Sequence, residues 1–321
     1  MNEAQKKMEI LKQVLGSSIR QGDESLFYCP YCKSSNLDKK KLSINIKKGY
    51  AKCWTCDKSF KKLSRLVKHF GTSEQLSKWY ELTNEFVLDG TDLTNLFGKK
   101  EEKPKNINNL KLPSNFHSLT GRTKNEKEAR EYLKSRNITN RQILRYRIGY
   151  SDWGGEFSSR IIIPSFDNYG LLNFFIARDY LKSAKRKRYW NPAVPKQDVI
   201  FNEIDINFKE DIVLVEGVFD AIVAGENAVP ILGSSLGKKT RLFRKLVEND
   251  PRVFLALDPG AKKKEINIIK KLLEFGVECY KVSIDGYDDV GMMTNDVFEK
   301  RKKEAVYINQ QYLMRYQMGM V

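Results

Sequence analysis

Two cysteine pairs constrain this chain more than any other feature: Cys29-x-x-Cys32 and Cys53-x-x-Cys56. Two residues between cysteines let both sulfurs reach one metal ion, and two such knuckles complete a tetrahedral shell. Twenty residues, Lys33 to Lys52, separate the pairs, a spacing that matches a four-cysteine zinc site. Scattered core thiols or a single redox pair would not produce two matched knuckles. Leu42-Ser43-Ile44-Asn45-Ile46 alternates like a strand, and Gly49-Tyr50 reads as a turn into a second strand that carries Cys53. The expectation is a small sheet with metal-bound knuckles, its modest core reinforced by zinc.

The same segment is basic. Twelve Lys/Arg and two acids, Asp38 and Asp57, lie between Lys33 and Lys68, with Tyr28, Tyr31, Tyr50, Trp54 and Phe60 among or beside them. Lysines follow phosphates while bases stack on rings, so Tyr50, Lys52 and Trp54 read as part of a single-strand binding surface; the alternative is a solvated charged face. The whole chain of 321 residues carries a formal charge of +17, which points to a polyanionic partner, nucleic acid or a membrane surface. No apolar run is long enough to span a bilayer, and Met1 to Gln5 lead into no signal-peptide core. A cytoplasmic protein without a membrane partner is therefore expected, and the sparse cysteine outside the pairs, Cys279 alone, agrees. With only His69 and His117, histidine-based catalysis has little to draw on.

The expected organisation is multidomain α/β. Residues 1–97 hold the zinc ribbon with flanking helices, including Leu63 to Leu82 broken at Gly71, and the polar stretch 98–120 is a linker. Residues 121–210 form a mixed α+β basic subdomain. There, helices are predicted from Glu126 and after Thr139, and strands at Ile161-Ile162-Ile163-Pro164 and Leu171 to Ala177. The run Lys182 to Arg188, five basic residues in seven, precedes Tyr189-Trp190-Asn191-Pro192 and reads as phosphate-facing. Residues 211–300 alternate strand and helix, with Ile212-Val213-Leu214-Val215 as a strand buried on both faces, which predicts a mostly parallel sheet. Residues 301–321 are left as a short basic and aromatic tail.

Ligands in open α/β sheets bind beyond the carboxyl ends of strands. Glu216 closes the first strand and Asp258 the third, Asp220 stands a helical turn after Glu216, and Asp285, Asp288 and Asp289 follow the fourth strand. Such acids repel one another unless a hard cation neutralises them, and oxygen ligands suit Mg²⁺ or Mn²⁺. Phosphoryl transfer is the matching chemistry. Gly233 to Thr240 imitates a phosphate-binding loop but has three residues between its glycines, and Lys239 separates Lys238 from Thr240, so it does not fit that pattern.

Taken in order, these motifs resemble those of the zinc-ribbon plus TOPRIM DNA primases of bacteria and phages, without a fused helicase domain. The resemblance runs over almost the whole chain. It rests on the four cysteines with Trp54 to Ser59, on Tyr132 to Arg136 and Ile148-Gly149-Tyr150, and on Arg160 to Pro164, Arg178 and Tyr189 to Pro192. Glu216-Gly217-x-x-Asp220 and Leu257-Asp258-Pro259 complete it. It implies a ribbon that reads single-stranded DNA template and a TOPRIM parallel sheet whose acids hold Mg²⁺ or Mn²⁺. The reaction implied is attack of a hydroxyl on an incoming ribonucleoside triphosphate with release of pyrophosphate. Glu216, Asp258 and Asp220 would be the catalytic acids, with Glu216, Asp258, Asp288 and Asp289 as magnesium ligands. Arg160, Arg178, Lys185, Lys187 and Arg188 would hold template or triphosphate, and a replicative helicase on a separate chain would be a partner. The chain departs from the family at Gly260, where a second acid is usual, and at Asp288-Asp289-Val290-Gly291, where the acids are usually spaced apart. One metal site is therefore expected to be weakened or rebuilt from Asp285, Asp288 or Asp289. A TOPRIM nuclease using the same acids, and a degenerate primase that binds single strands or loads helicase, remain the alternatives.

Overall fold

The computed structural model describes residues 2–32, 39–83, 110–121, 123–181, 186–233 and 236–320. Residues 1–90 and 91–321 form two compact units.

In the first unit, helix α1 (Glu3–Leu15) starts on a capping box between Asn2 and Gln5. Five antiparallel strands follow in sequence order across one sheet: β1 (Ile19–Gln21), β2 (Glu24–Phe27), β3 (Leu42–Asn45), β4 (Tyr50–Cys53) and β5 (Ser59–Phe60). Helices α2 (Ser64–Phe70) and α3 (Ser73–Thr83) flank the break at Gly71. Leu11, Phe27, Leu42, Ile44, Ala51, Leu66, Val67 and Trp79 bury against one another. This core is larger than a metal-stapled ribbon needs, so the apolar contribution to folding is substantial beside that of the metal. The extra strands escaped the sequence pattern because β1 is exposed throughout and three residues long and β5 has two residues.

The second unit holds two sheets. One is antiparallel, in the order β6 (Phe116–Ser118), β7 (Gly149–Ser151), β8 (Arg160–Phe166), β9 (Leu172–Asp179). Helix α4 (Lys124–Ser135) starts where the Thr123 hydroxyl accepts from the Glu126 N–H, and α5 (Asn140–Arg145) starts on a Thr139/Gln142 capping box. Pro164 is tolerated in β8 because β7 pairs only as far as Ile162, which leaves no ladder bond on that side for the missing N–H to make. Of the expected linker, residues 98–109 lie outside the described residues. Its far end is no linker: Phe116–Ser118 pairs with Gly149–Ser151, and a Cβ at Gly149 would fall 2.3 Å from the Phe116 ring.

The other sheet runs in the order β11 (Ala228–Pro230), β10 (Ile212–Val215), β12 (Val253–Ala256), β13 (Cys279–Lys281), β14 (Val306–Ile308). Neighbouring pairs from β11 to β13 are parallel, and β14 closes the edge antiparallel to β13. Its helices are α6 (Val218–Ala224), α7 (Arg241–Asn249), α8 (Lys262–Glu274), α9 (Asn295–Lys303) and α10 (Gln310–Gln317). The expected tail is thus part of the fold. Ile308 is fully buried, and the Tyr316 hydroxyl donates to Glu265 Oε2 at 2.6 Å. A three-residue strand is too short to show a period in sequence. The two sheets share one hydrophobic core that runs from Leu119, Tyr132 and Leu133 through Val213, Val215 and Phe219 to Phe298. That shared core holds α4 against the strand ends of the parallel sheet. Among the described residues no helix is long and apolar enough to cross a membrane.

Candidate metal centre and carboxylate site

Cys29 and Cys32 sit in the loop after β2, Cys53 ends β4, and Cys56 lies in the turn toward β5. Their sulfurs all lie within 4.8 Å of one another, with Cys32 and Cys53 3.5 Å apart and Cys29 and Cys56 3.9 Å apart. Four sulfurs bound tetrahedrally at ~2.3 Å from one zinc ion stand ~3.8 Å apart, so the set matches a zinc site. A disulfide would need sulfurs at ~2 Å. Burial pushes the Cys29 and Cys56 thiols up; at Cys53 burial acts the same way, but N–H groups of Cys56 and Thr55 outweigh it and hold the thiol at about 7. Around this centre Trp54 is 64% exposed, and the Lys52 ammonium lies 4.7 Å from its ring centre and 3.5 Å from Asp57 Oδ1. Tyr50 is less available than expected, because its hydroxyl donates to Glu24 Oε1 at 2.9 Å.

In the second unit, β10 and β12 are parallel neighbours with Val215 opposite Ala256. Glu216 and Asp258 therefore leave adjacent strand ends. Asp220, 6% exposed on α6, turns back so that its Oδ2 accepts from the Gly217 N–H at 2.8 Å, while its Oδ1 accepts from the Gly291 N–H at 2.8 Å. The second bond ties α6 to the loop after β13. Burial, with Asp289 adding to it, lifts Asp220 to about 6, against the pull of those N–H groups and of Arg136. Asp258 is lifted to about 7, by burial first and then by Asp220, Glu216 and Asp289, with Lys264 opposing. These mutual effects show that four carboxylates from three strand ends form one electrostatic centre.

Of the loop acids expected there, Asp289 faces the centre, Asp288 is exposed, and Asp285 accepts from the Ser283 hydroxyl at 2.5 Å. Asp258 Oδ1 and Asp289 Oδ1 are buried without a hydrogen-bond partner. Orphaned carboxylate oxygens cost free energy unless a cation reaches them, so this donor set fits a hard divalent ion. The four acids are not drawn in as tightly as the cysteines, which are the only such metal-ligating group among the described residues.

Two cations at this centre were given no role from sequence. Lys264 Nζ lies 3.4 Å from Glu216 Oε1, and Arg136 Nη2 lies 3.5 Å from Asp289 Oδ2 while its guanidinium covers the Phe219 ring at 5.6 Å. A signal existed for the first. Lys262-Lys263-Lys264 opens helix α8, where the helix dipole disfavours cations.

The expected basic grip divides. Arg160 is 4% exposed, and its Nη1 donates to the Ala177 carbonyl at 3.4 Å; Arg178 is 8% exposed, with Tyr189 and Tyr132 rings 4.7 and 5.8 Å from its guanidinium. Both are interior groups rather than surface phosphate clamps, because β8 and β9 are buried along both faces. Arg178 still borders the acids through Tyr189, whose hydroxyl feels Asp220. Lys187 and Arg188 are exposed, Lys187 lying 4.4 Å over Trp190, and Lys185 lies outside the described residues. Lys238 pairs with Glu274 at 2.7 Å and Thr240 caps α7, so neither takes the part a phosphate loop would give it.

The fold and site together define a class: a four-cysteine ribbon joined to an α/β core with carboxylates at the ends of parallel strands. No protein-family model matches the chain, and no curated protein sequence matches it. Solved structures do. The zinc-binding and RNA polymerase domains of the Aquifex aeolicus primase align at 18% identity over 100% of this chain and 93% of that one, with a TM-score of 0.48. A DnaG primase catalytic domain bound to single-stranded DNA aligns at 18% identity over 63% and 77%, with a TM-score of 0.50. A DNA primase domain from Pseudomonas aeruginosa aligns at 19% over 60% and 76%, with a TM-score of 0.50. The core of this chain has the fold of the DnaG catalytic domain.

Proposed function

We propose that this protein is a DNA primase that makes short RNA primers on single-stranded DNA from ribonucleoside triphosphates. The observation that carries the reading is the convergence of Glu216, Asp258, Asp289 and Asp220 at the strand ends of a DnaG-like core. The parallel sheet β10–β13 is read as a TOPRIM domain. Glu216, Asp258 and Asp289 would hold Mg²⁺ or Mn²⁺, which when bound polarises phosphoryl oxygens and makes a hydroxyl more acidic. Glu216, at the open end of β10, is placed to take the proton of the attacking hydroxyl. Asp220 spends both oxygens on N–H groups and so holds the Gly291 loop in place. Tyr189 and Trp190, with Lys187 and Arg188 exposed beside them, offer rings and charges to nucleotide and template. On the ribbon, Trp54 and Lys52 would do the same for template, with zinc holding the knuckles. A replicative helicase on another chain is the expected partner, since Gly233 to Thr240 does not match the phosphate-loop pattern.

Ribonucleotide incorporation on a single-stranded template with Mg²⁺ tests this. Wild type should make short RNA, whereas Glu216→Gln should make none yet bind template with unchanged affinity. Template shortening in place of RNA synthesis would mean a nuclease, and a mobility shift alone would mean a binding factor.

A further inference from the structure

Four carboxylates meet at this centre, and two cations of the chain already face them. Lys264 and Arg136 each lie within 3.5 Å of a carboxylate oxygen, and their side chains are 17% and 20% exposed. Lys264 stands in the first turn of a helix, against the dipole, so its place is set by the acids. Both Asp220 oxygens already accept from backbone N–H groups, so it is a poorer ligand than the acids with an unpartnered oxygen. The oxygens without partners are Asp258 Oδ1 and Asp289 Oδ1. Two residues beyond each of those acids stands a glycine. At Gly260 a side chain would meet open space. At Gly291 a Cβ would lie 3.0 Å from Arg136 Nη2 and 3.0 Å from Asp220 Oδ1. At Gly291 the Arg136 guanidinium and the Asp220 and Asp289 carboxylates thus fill the volume that a further acid would take.

We infer that the centre takes one divalent cation, on Asp258 and Asp289 with Glu216 beside them, and that Lys264 and Arg136 supply as fixed charges what a second ion would supply. With a cation bound and all four carboxylates ionised, the two side-chain cations leave two negative charges, which one divalent ion balances. Two-metal phosphoryl-transfer centres clamp the attacking and leaving oxygens between two ions; here two side-chain cations already face the acids. The inference rests on the metal reading of this site given under Proposed function.

Manganese titration of the zinc-loaded full chain, with free Mn²⁺ followed by electron paramagnetic resonance, tests it. One Mn²⁺ per chain is expected in wild type. Gly260→Asp combined with Lys264→Met should take two, and Lys264→Arg should keep one. Lys264→Met alone should bind its single ion about tenfold more tightly, because a like charge close by is removed. Two ions in wild type would overturn the inference and leave the metal centre standing. No ion in wild type would overturn the metal reading itself. Unchanged affinity in Lys264→Met would show that the ammonium does not compete with the ion and would also overturn the inference.

Discussion

Replacing Asp258 with asparagine should stabilise the folded core in metal-free buffer above neutral pH, while weakening its cation binding. Burial, then Asp220, Glu216 and Asp289, raise this carboxyl to about 7. Against an unfolded value of about 3.9, and at ~1.4 kcal/mol per unit, the ceiling is about 4 kcal/mol of destabilisation once the group is ionised. Asp258 is only partly buried, so solvent screening reduces the expected gain to about 1–2 kcal/mol. A raised folded pKa means that the folded state keeps a proton that the unfolded chain gives up. Stability is therefore lost as pH rises from about 3.9 through about 7, and an uncharged asparagine escapes that loss. By calorimetry at about pH 8 the variant's core transition should lie about 2–8 °C above wild type, at ~2–4 °C per kcal/mol for a unit of this size, and near pH 4 the gap should close. Manganese should reverse the order, since a ligand at about a hundred times its Kd adds about 2.7 kcal/mol to the protein that binds it. A variant that melts below wild type at the higher pH, or a gap that does not narrow on acidification, would refute the account of a strained carboxylate centre.

Gly291→Ala should cost about 1–3 kcal/mol, because the added methyl meets Arg136 and both Asp220 and Asp289 at about 3 Å, whereas Gly260→Ala, in open space, should stay within about 0.5 kcal/mol; urea melts of the pair decide it. Cys53→Ser should lose the zinc by elemental analysis and lower the melting of the first unit, while α1 to α3 keep part of their helical signal through the apolar core they share. Trp54→Ala should weaken single-stranded DNA binding by about 1–3 kcal/mol, the usual value of a stacked base, measured by fluorescence anisotropy at fixed salt. An unchanged affinity would remove the ring from the template surface.

The zinc knuckles, the central strand Ile212–Val215 and the strand-end acids were legible because each is local. A cysteine spacing, an unbroken apolar run and an acid directly after it carry their meaning within a few residues. Strands β1, β5, β6 and β14 were not legible, being two or three residues long, too short for any period to show. Arg160 and Arg178 looked like surface clamps because an arginine in a basic region ordinarily is one. Only the burial of both faces of β8 and β9 by the rest of the fold turned them inward.

Taken by itself, the sequence determined that four thiols would gather and that acids would stand at the ends of parallel strands. What tertiary structure alone decided is which acids meet and what neutralises them: Asp289 rather than Asp288, with Arg136 reaching Asp289 across 289 − 136 = 153 residues and Lys264 reaching Glu216 across 48. Such partnerships are set by packing of distant elements on one core, and no local pattern encodes them.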